Sequence, residues 1–366
     1  MIIRIIGSGL LGASLGLALT RMGRTVQLDD ASELAAGLAQ DLGAGKLAGP
    51  DSAEPDLIIV ATPPETVADI VAEQLARFPH ALVTDVASAK AQIYRSLTDK
   101  VGAAELSRYA GVHPMAGRER SGALAADADL FTGRPFVICP HPHSGKPVLR
   151  LVRELATDLG ALPLTMAADA HDDAVARVSH MPQLVSSLLA ARLEEADAGE
   201  LDLAGQGLRD VTRLAGSDAR LWSSIIAANT GPVRRVLSEL HDDLTDLIAG
   251  LGQMQEEGDY RGISRVASVM TRGNAGAARI PGKHGGAQIR YAQIIVLVPD
   301  RPGELGRLLT DTGRIGVNIE DLTLEHSPSQ PVGRAIMSVA PAQALPLTEG
   351  LEKLGWRIAA NGEQLV

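Results

Sequence analysis

Ile2-Ile3-Arg4-Ile5-Ile6 runs directly into Gly7-Ser8-Gly9-Leu10-Leu11-Gly12. A short β-branched run reads as a buried strand. The Gly-x-Gly-x-x-Gly after it opens an apolar helix over residues 13–22. A strand before the glycines and a helix after them is the context a dinucleotide-binding βαβ unit requires, and it leaves few other folds open. Gly7 permits the tight turn, Gly9 lets the backbone approach a pyrophosphate, and Gly12 lets the helix pack against the strand. Leu10 and Leu11 sit between them, where free N–H groups and the positive end of the helix dipole face the phosphates. Residues 26–30 form a second strand ending in Asp29-Asp30. A carboxylate there accepts the ribose hydroxyls of NAD and repels the 2′-phosphate of NADP. Asp30, one step past the apolar part of the strand, is the preferred residue.

Strands and helices then alternate. Helical patterns cover residues 32–42 and 66–78, and apolar strands cover 56–62 and 81–85. Residues 135–139 read as a further strand, followed by one more helix and a short strand ending near residue 164. This alternation predicts a parallel, doubly wound sheet of the Rossmann type over residues 1–165. Ligands of such sheets bind beyond the carboxyl ends of the strands. The loops at Thr62-Pro63-Pro64, 85–90 and 111–117 are therefore expected to converge on the dinucleotide.

From residue 166 to about 275 the texture is all-helical. A helix over 172–193 is interrupted at Met181-Pro182, and another covers 221–229. A long helix from Pro232 carries Val233, Val236, Leu237, Leu240, Leu244, Leu247, Ile248 and Leu251 at steps of three and four. Such a continuous apolar stripe packs either in an intrachain bundle or against a second subunit, and a homodimer is the expectation. Residues 271–288 are rich in Gly, Ala and basic residues and read as a linker, with 276–288 as its core. From 289 to 366 the order of short elements is βαββαβ, that of a ferredoxin-like sandwich.

Composition narrows the class of function. A net charge of −10 argues against a nucleic-acid or anionic-membrane partner. No apolar run reaches transmembrane length. The first strand begins at Ile2, which leaves no room for a signal peptide, so a cytoplasmic location is expected. The single cysteine, Cys139, allows neither an intramolecular disulfide nor a multi-cysteine metal site. No metal is expected.

Three places offer chemistry. His113 precedes a proline between Gly111 and Gly117, near the predicted cleft. It either takes a proton from a substrate hydroxyl as hydride leaves the same carbon, or caps loop backbone. Ser88 either assists that histidine or caps a helix N-terminus. In the helical region, Ser179-His180-Met181-Pro182 is followed by Asp210-Val211-Thr212-Arg213 and Trp222. Arg213 is a fork able to grip a carboxylate in two places, or with Asp210 it forms a surface helix pair.

Taken in order, five motifs make the chain resemble the prephenate and arogenate dehydrogenases of tyrosine biosynthesis. They are the Gly-x-Gly-x-x-Gly, Asp-x-x-Ser-x-Lys at Asp85 to Lys90, His-Pro-Met-x-Gly at His113 to Gly117, Ser-His-x-Pro at Ser179 to Pro182, and Asp-x-Thr-Arg…Trp at Asp210 to Trp222. The resemblance implies an NAD-dependent oxidative decarboxylation of prephenate to 4-hydroxyphenylpyruvate, or of arogenate to tyrosine. It implies His113 as acceptor of the ring-hydroxyl proton, with Ser88 assisting. Arg213 would hold a substrate carboxylate, and His180 would line the pocket. Glu119 and Asp210 would form an ionic gate with Arg213, and Trp222 would close the wall. Residues 289–366 resemble an ACT domain through Asp300-Arg301-Pro302-Gly303-Glu304-Leu305 and Gly316-Val317-Asn318-Ile319. That implies tyrosine as effector, with Asp300, Pro302, Gly303 and Asn318 near its site. Two rivals share parts of this pattern: another hydroxy-acid dehydrogenase of the same architecture, and an NAD-binding amino-acid sensor without catalysis.

Overall fold

A computed structural model describes residues 1–117, 122–257, 262–281, 291–326 and 332–360. The chain divides into two compact units, residues 1–201 with 210–240, and residues 202–209 with 241–366.

The first unit holds an eight-stranded sheet of order β3-β2-β1-β4-β5-β6-β7-β8. Its strands are β1 (Ile2–Ile6), β2 (Thr25–Asp29), β3 (Lys46–Leu47), β4 (Leu57–Val60), β5 (Leu82–Asp85), β6 (Tyr109–Pro114), β7 (Pro135–Cys139) and β8 (Leu162–Thr165). The central strands are apolar on both faces. Leu57 and Ile59 of β4 enter one core with α1 (Leu10–Arg21), α2 (Glu33–Asp41) and α6 (Lys146–Asp158). Ile58 and Val60 enter the other with α3 (Pro64–Arg77), α4 (Ala91–Lys100) and α5 (Ala103–Leu106). Residues buried on both sides are what a sheet covered by helices on each face demands. The strand order reverses between β1 and β4, which places a crevice outside their carboxyl ends.

The sheet is not wholly parallel, as the alternation of elements suggested. β6 pairs antiparallel with β7, and β7 pairs parallel with β8, so the last two strands run against the rest. Residues 111–114, expected as loop, belong to β6. Glycine and proline are turn signals in a sequence, but here every residue of the strand is buried and pairing overrides them. Gly111 is required by close approach: a Cβ there would lie 2.7 Å from the Tyr94 hydroxyl and 2.9 Å from Asp85 Oδ2. The helix α1 begins at Leu10 rather than residue 13, with Gly9 at its N-cap.

Helices follow the sheet. They are α7 (Ala168–Val175), a π-helical turn (Ala176–His180), α8 (Met181–Ala191), α9 (Ala198–Leu201), α10 (Gln206–Thr212), a 3-10 turn (Arg213–Gly216), α11 (Ala219–Ala228), α12 (Thr230–Glu257) and α13 (Ile263–Ala277). Pro182, without an N–H, sits in the first turn of α8, and the wide turn ahead of it absorbs the break. The stripe on α12 is used unevenly. Val233 and Val236 are buried with Ala176, whereas Leu244, Ile248 and Leu251 are exposed. α13 carries helix through Ala277, so residues 271–277 are not linker; residues 282–288 of the expected linker lie outside the described residues.

Within the second unit, residues 291–360 form β9 (Ala292–Pro299), α14 (Glu304–Ile315), β10 (Asp321–His326), β11 (Val332–Val339), α15 (Pro341–Lys353) and β12 (Arg357–Ala360). The four-stranded sheet has the order β10-β11-β9-β12, and each neighbouring pair is antiparallel. Residues on β9 alternate between buried and half-buried, and Leu308, Leu347, Leu351 and Trp356 close the core. Gly303 takes φ 89° to start α14. Asn318 lies in the connection before β10, its amide donating to Glu320 Oε1 at 2.8 Å. Gly316, at φ 83°, turns the chain out of α14.

Candidate active site

The turn after β1 is built for close backbone packing. Gly7 has φ 101°, and a Cβ on it would stand 2.4 Å from the carbonyl oxygen of Ala61 after β4. Any other residue would be strained and would clash. On Gly9 a Cβ would meet nothing within 4 Å, so the open side of the loop is backbone alone. Leu10, Leu11 and Gly12 follow as the first turn of α1, and the buried Ser8 hydroxyl has no partner among the described residues. This cradle of free N–H groups fits the pyrophosphate of NAD. Asp30 lies at the cradle rather than free at a strand end. Its carboxylate accepts the N–H of Ser8 at 2.5 Å and of Ser32 at 2.8 Å. It thereby ties the loop after β1 to the loop after β2, and Asp29 stands exposed beside it. Thr62 and Pro63 follow β4 at the same edge, the Thr66 hydroxyl donating to Thr62 Oγ1 at 3.0 Å.

His113 is the penultimate residue of β6, at the edge where β1 and β4 also end. Its ring is buried. Nδ1 lies 2.9 Å from His171 Nε2, and His171 Nδ1 lies 2.8 Å from Asp172 Oδ1. The Asp172 carboxylate also accepts the N–H of Lys90 at 2.9 Å and of Ala91 at 2.8 Å, capping α4 from a different helix. Burial foremost, then His171, Lys90 and His180, push the His113 imidazolium well below the ordinary histidine range. The ring is therefore a neutral base at neutral pH. Ser88 is half-buried in the loop between β5 and α4, with no hydrogen-bond partner among the described residues. It neither caps α4 nor bonds His113; Asp172 and His171 take those places.

Lys90 and Asp85 form a fully buried ion pair at 2.5 Å. Asp85 also accepts the Tyr109 hydroxyl at 2.6 Å and the Ala87 N–H at 2.9 Å, so the carboxylate is well satisfied. The Tyr94 hydroxyl donates to the Cys139 carbonyl and accepts the Gly111 N–H at 3.0 Å. Burial first raises both phenols well above their usual range and the Cys139 thiol to about 12. None of the three ionises near neutral pH, so Cys139 is core.

From the helical side, His180 ends the π-helical turn and is buried. Its Nδ1 lies 3.1 Å from Asn229 Nδ2, which also donates to the Asp172 carbonyl at 2.8 Å. Burial chiefly lowers His180 to about 4, with Asp172 opposing and His171 adding to the shift. Trp222 meets the His180 ring edge to face, centroids 6.1 Å apart. Arg213 is exposed at the start of its 3-10 turn, which Gln183 of α8 anchors by donating to the Leu214 carbonyl at 2.8 Å. Asp210 is exposed on α10, and Glu119 lies outside the described residues. One network thus joins His113, His180 and Trp222 through His171, Asp172 and Asn229, and Gln183 of α8 anchors the turn that carries Arg213. His171, Asp172, Asn229 and Gln183 escaped the sequence reading. The adjacent His171-Asp172 pair was the visible signal, but adjacent residues carry no helical face or motif spacing.

Among the described residues no helix is long and apolar enough to cross a membrane, and no group of three or more His, Cys, Asp or Glu is placed to hold a metal. The family model for the prephenate dehydrogenase nucleotide-binding domain matches residues 15–163, and that for the dimerization domain of the same family matches 167–267. The probable prephenate dehydrogenase NovF of Streptomyces niveus is 36% identical over 356 residues, 96% of this chain and 98% of that protein. The structure of prephenate dehydrogenase from A. aeolicus in complex with hydroxyphenyl propionate and NAD+ is 26% identical, with TM-score 0.64 over 75% of this chain and 98% of that one. Synechocystis arogenate dehydrogenase is 25% identical, with TM-score 0.59 over 74% of this chain and 99% of that one. A cradle for a dinucleotide with a buried neutral histidine at the same sheet edge is thus found in a chain that belongs to the prephenate dehydrogenase family.

Proposed function

We propose that this protein oxidises and decarboxylates prephenate with NAD, and that His113 is its base. The observation that carries the reading is the buried, neutral His113 at the carboxyl edge of the sheet, level with the glycine cradle. Bound NAD supplies a hydride acceptor. As hydride leaves the ring carbinol carbon, His113 Nε2 takes the hydroxyl proton. The dienone so formed loses its quaternary carboxylate as CO2, and the bonding pair aromatises the ring to a phenolate. His113 then returns its proton to that oxygen, so no net proton is released. Aromatisation drives the reaction, and the protein mainly orients and polarises. Arg213 holds a substrate carboxylate, His180 and Trp222 form a wall, and Ser88 and Asp210 stand at its margin. The assay is purified protein with NAD and either prephenate or arogenate, following reduced nicotinamide and released CO2. Stoichiometric CO2 and NADH from prephenate is the expected result; hydride transfer without CO2 would point to another hydroxy-acid dehydrogenase.

The second compact unit supports a regulatory reading. Its strand-helix-strand-strand-helix-strand order and antiparallel sheet suit an ACT-type domain. In that reading tyrosine binds beside Asp300, Pro302, Gly303 and Asn318 and favours a less active arrangement of a homodimer. Asn318→Ala should then weaken tyrosine inhibition without changing uninhibited turnover. An unchanged inhibition curve would put tyrosine in the catalytic pocket.

A further inference from the structure

His113 has two ring nitrogens, and only one can be the base. We propose that Asp172 and His171 fix the tautomer of His113, keeping its hydrogen on Nδ1 and leaving Nε2 open. This rests on the reading of His113 as the base. The inference begins at α4. Its first N–H groups, those of Lys90 and Ala91, both point at the Asp172 carboxylate. With two N–H donors already directed at it from the positive end of a helix, that carboxylate acts as an acceptor. His171 Nδ1, 2.8 Å away, therefore carries a hydrogen. A singly protonated imidazole with its hydrogen on Nδ1 has a lone pair on Nε2. That lone pair faces His113 Nδ1 at 2.9 Å. Two lone pairs do not face each other at hydrogen-bond distance, so His113 Nδ1 is the donor. Its remaining nitrogen, Nε2, is then unprotonated. When Nε2 takes a proton, the imidazolium still donates through Nδ1 to His171, with the Asp172 carboxylate one ring beyond to stabilise the charge.

His171 and Asp172 are positioning residues in this scheme. The logic is that of the carboxylate that holds a catalytic histidine in the right tautomer in serine proteases, extended by one ring. Asp172→Asn tests it. The N–H groups of α4 would hold the new amide's oxygen, leaving its NH2 to face His171. Each bond in the chain would reverse, and the hydrogen on His113 would move to Nε2.

The experiment is 15N NMR of the full chain labelled at histidine, together with steady-state kinetics. Wild-type protein is expected to show His113 protonated at Nδ1, and Asp172→Asn to show it protonated at Nε2. The Asp172→Asn variant should lose at least about a hundredfold in kcat, with KM and NAD affinity within roughly threefold of wild type. Because Asp172 also caps α4, a second pair guards against a folding failure. His171→Gln keeps an acceptor oxygen for His113 Nδ1 and should turn over at least about tenfold faster than His171→Leu. Wild-type His113 protonated at Nε2, an Asp172→Asn protein that keeps the Nδ1 form, or equal rates for the two His171 variants would overturn the scheme. The tautomer is read without substrate, so a protein that does not turn over prephenate still tests it.

Discussion

The proposed base is uncharged in its working form. His113 is held well below its ordinary pKa by burial, with His171, Lys90 and His180 adding to the effect. A base works in its deprotonated form, so a depressed pKa extends activity toward acid. The acid limb of kcat/KM should therefore lie well below pH 6.5, with a flat profile from there toward neutrality; a half-maximum near 6.5 would show a solvated ring. His113→Asn should lower kcat by about two to four orders of magnitude, the usual contribution of a general base, with little change in KM. The role proposed for Arg213 is in binding. Losing charge-assisted hydrogen bonds to a carboxylate costs about 1.5–3 kcal/mol, so Arg213→Ala should raise KM for prephenate roughly tenfold or more. An unchanged KM would place the carboxylate elsewhere. His113 and Arg213 could be proposed from the sequence because each sits in a motif of fixed spacing. His171 and Asp172 were not, because their partners come from β6 and the start of α4. Only the fold brings those residues together.

Elements were legible wherever one period ran unbroken. The apolar runs of β1, β4 and β5 and the stripes of α1 and α3 could be read directly, since burial on one or both faces leaves a mark in the residues themselves. Direction left no such mark. Nothing in Pro135–Cys139 says whether it runs with or against its neighbour, because a buried strand is apolar either way. The junction of β5 and α4 shows how an element end is secured. Lys90 is wholly buried against Asp85, which also takes the Tyr109 hydroxyl. Lys90→Met removes one partner of a buried pair and leaves the other charge behind, a loss of about 3–5 kcal/mol. The measurement is chemical denaturation of the variant against wild type. A midpoint shift within error would mean that Tyr109 and Ala87 alone satisfy Asp85. Met181-Pro182, read as an interruption, lie in the first turn of α8, and the π-helical turn over Ala176–His180 just ahead of them sets His180 against Asn229.

At the scale of the molecule, one half of a long helix is finished and the other is not. The stripe on α12 is buried at Val233 and Val236 but open at Leu244, Ile248 and Leu251. A second copy of the chain would cover that open half, in keeping with the dimerization-domain match over residues 167–267. The wild-type chain is expected to sediment as a dimer and the double variant Leu244→Asp, Ile248→Asp as a monomer; equal sedimentation would remove this face from the interface. The hydrogen bond from Lys90 N–H to Asp172 spans 82 residues of sequence. Contacts between segments so far apart form late when a chain folds, because the loop between them must first be closed. Far-UV circular dichroism should therefore recover before turnover does when denatured protein is diluted into buffer. Turnover should return only with the slowest tertiary phase, when α7 reaches the start of α4 and the base acquires its orientation.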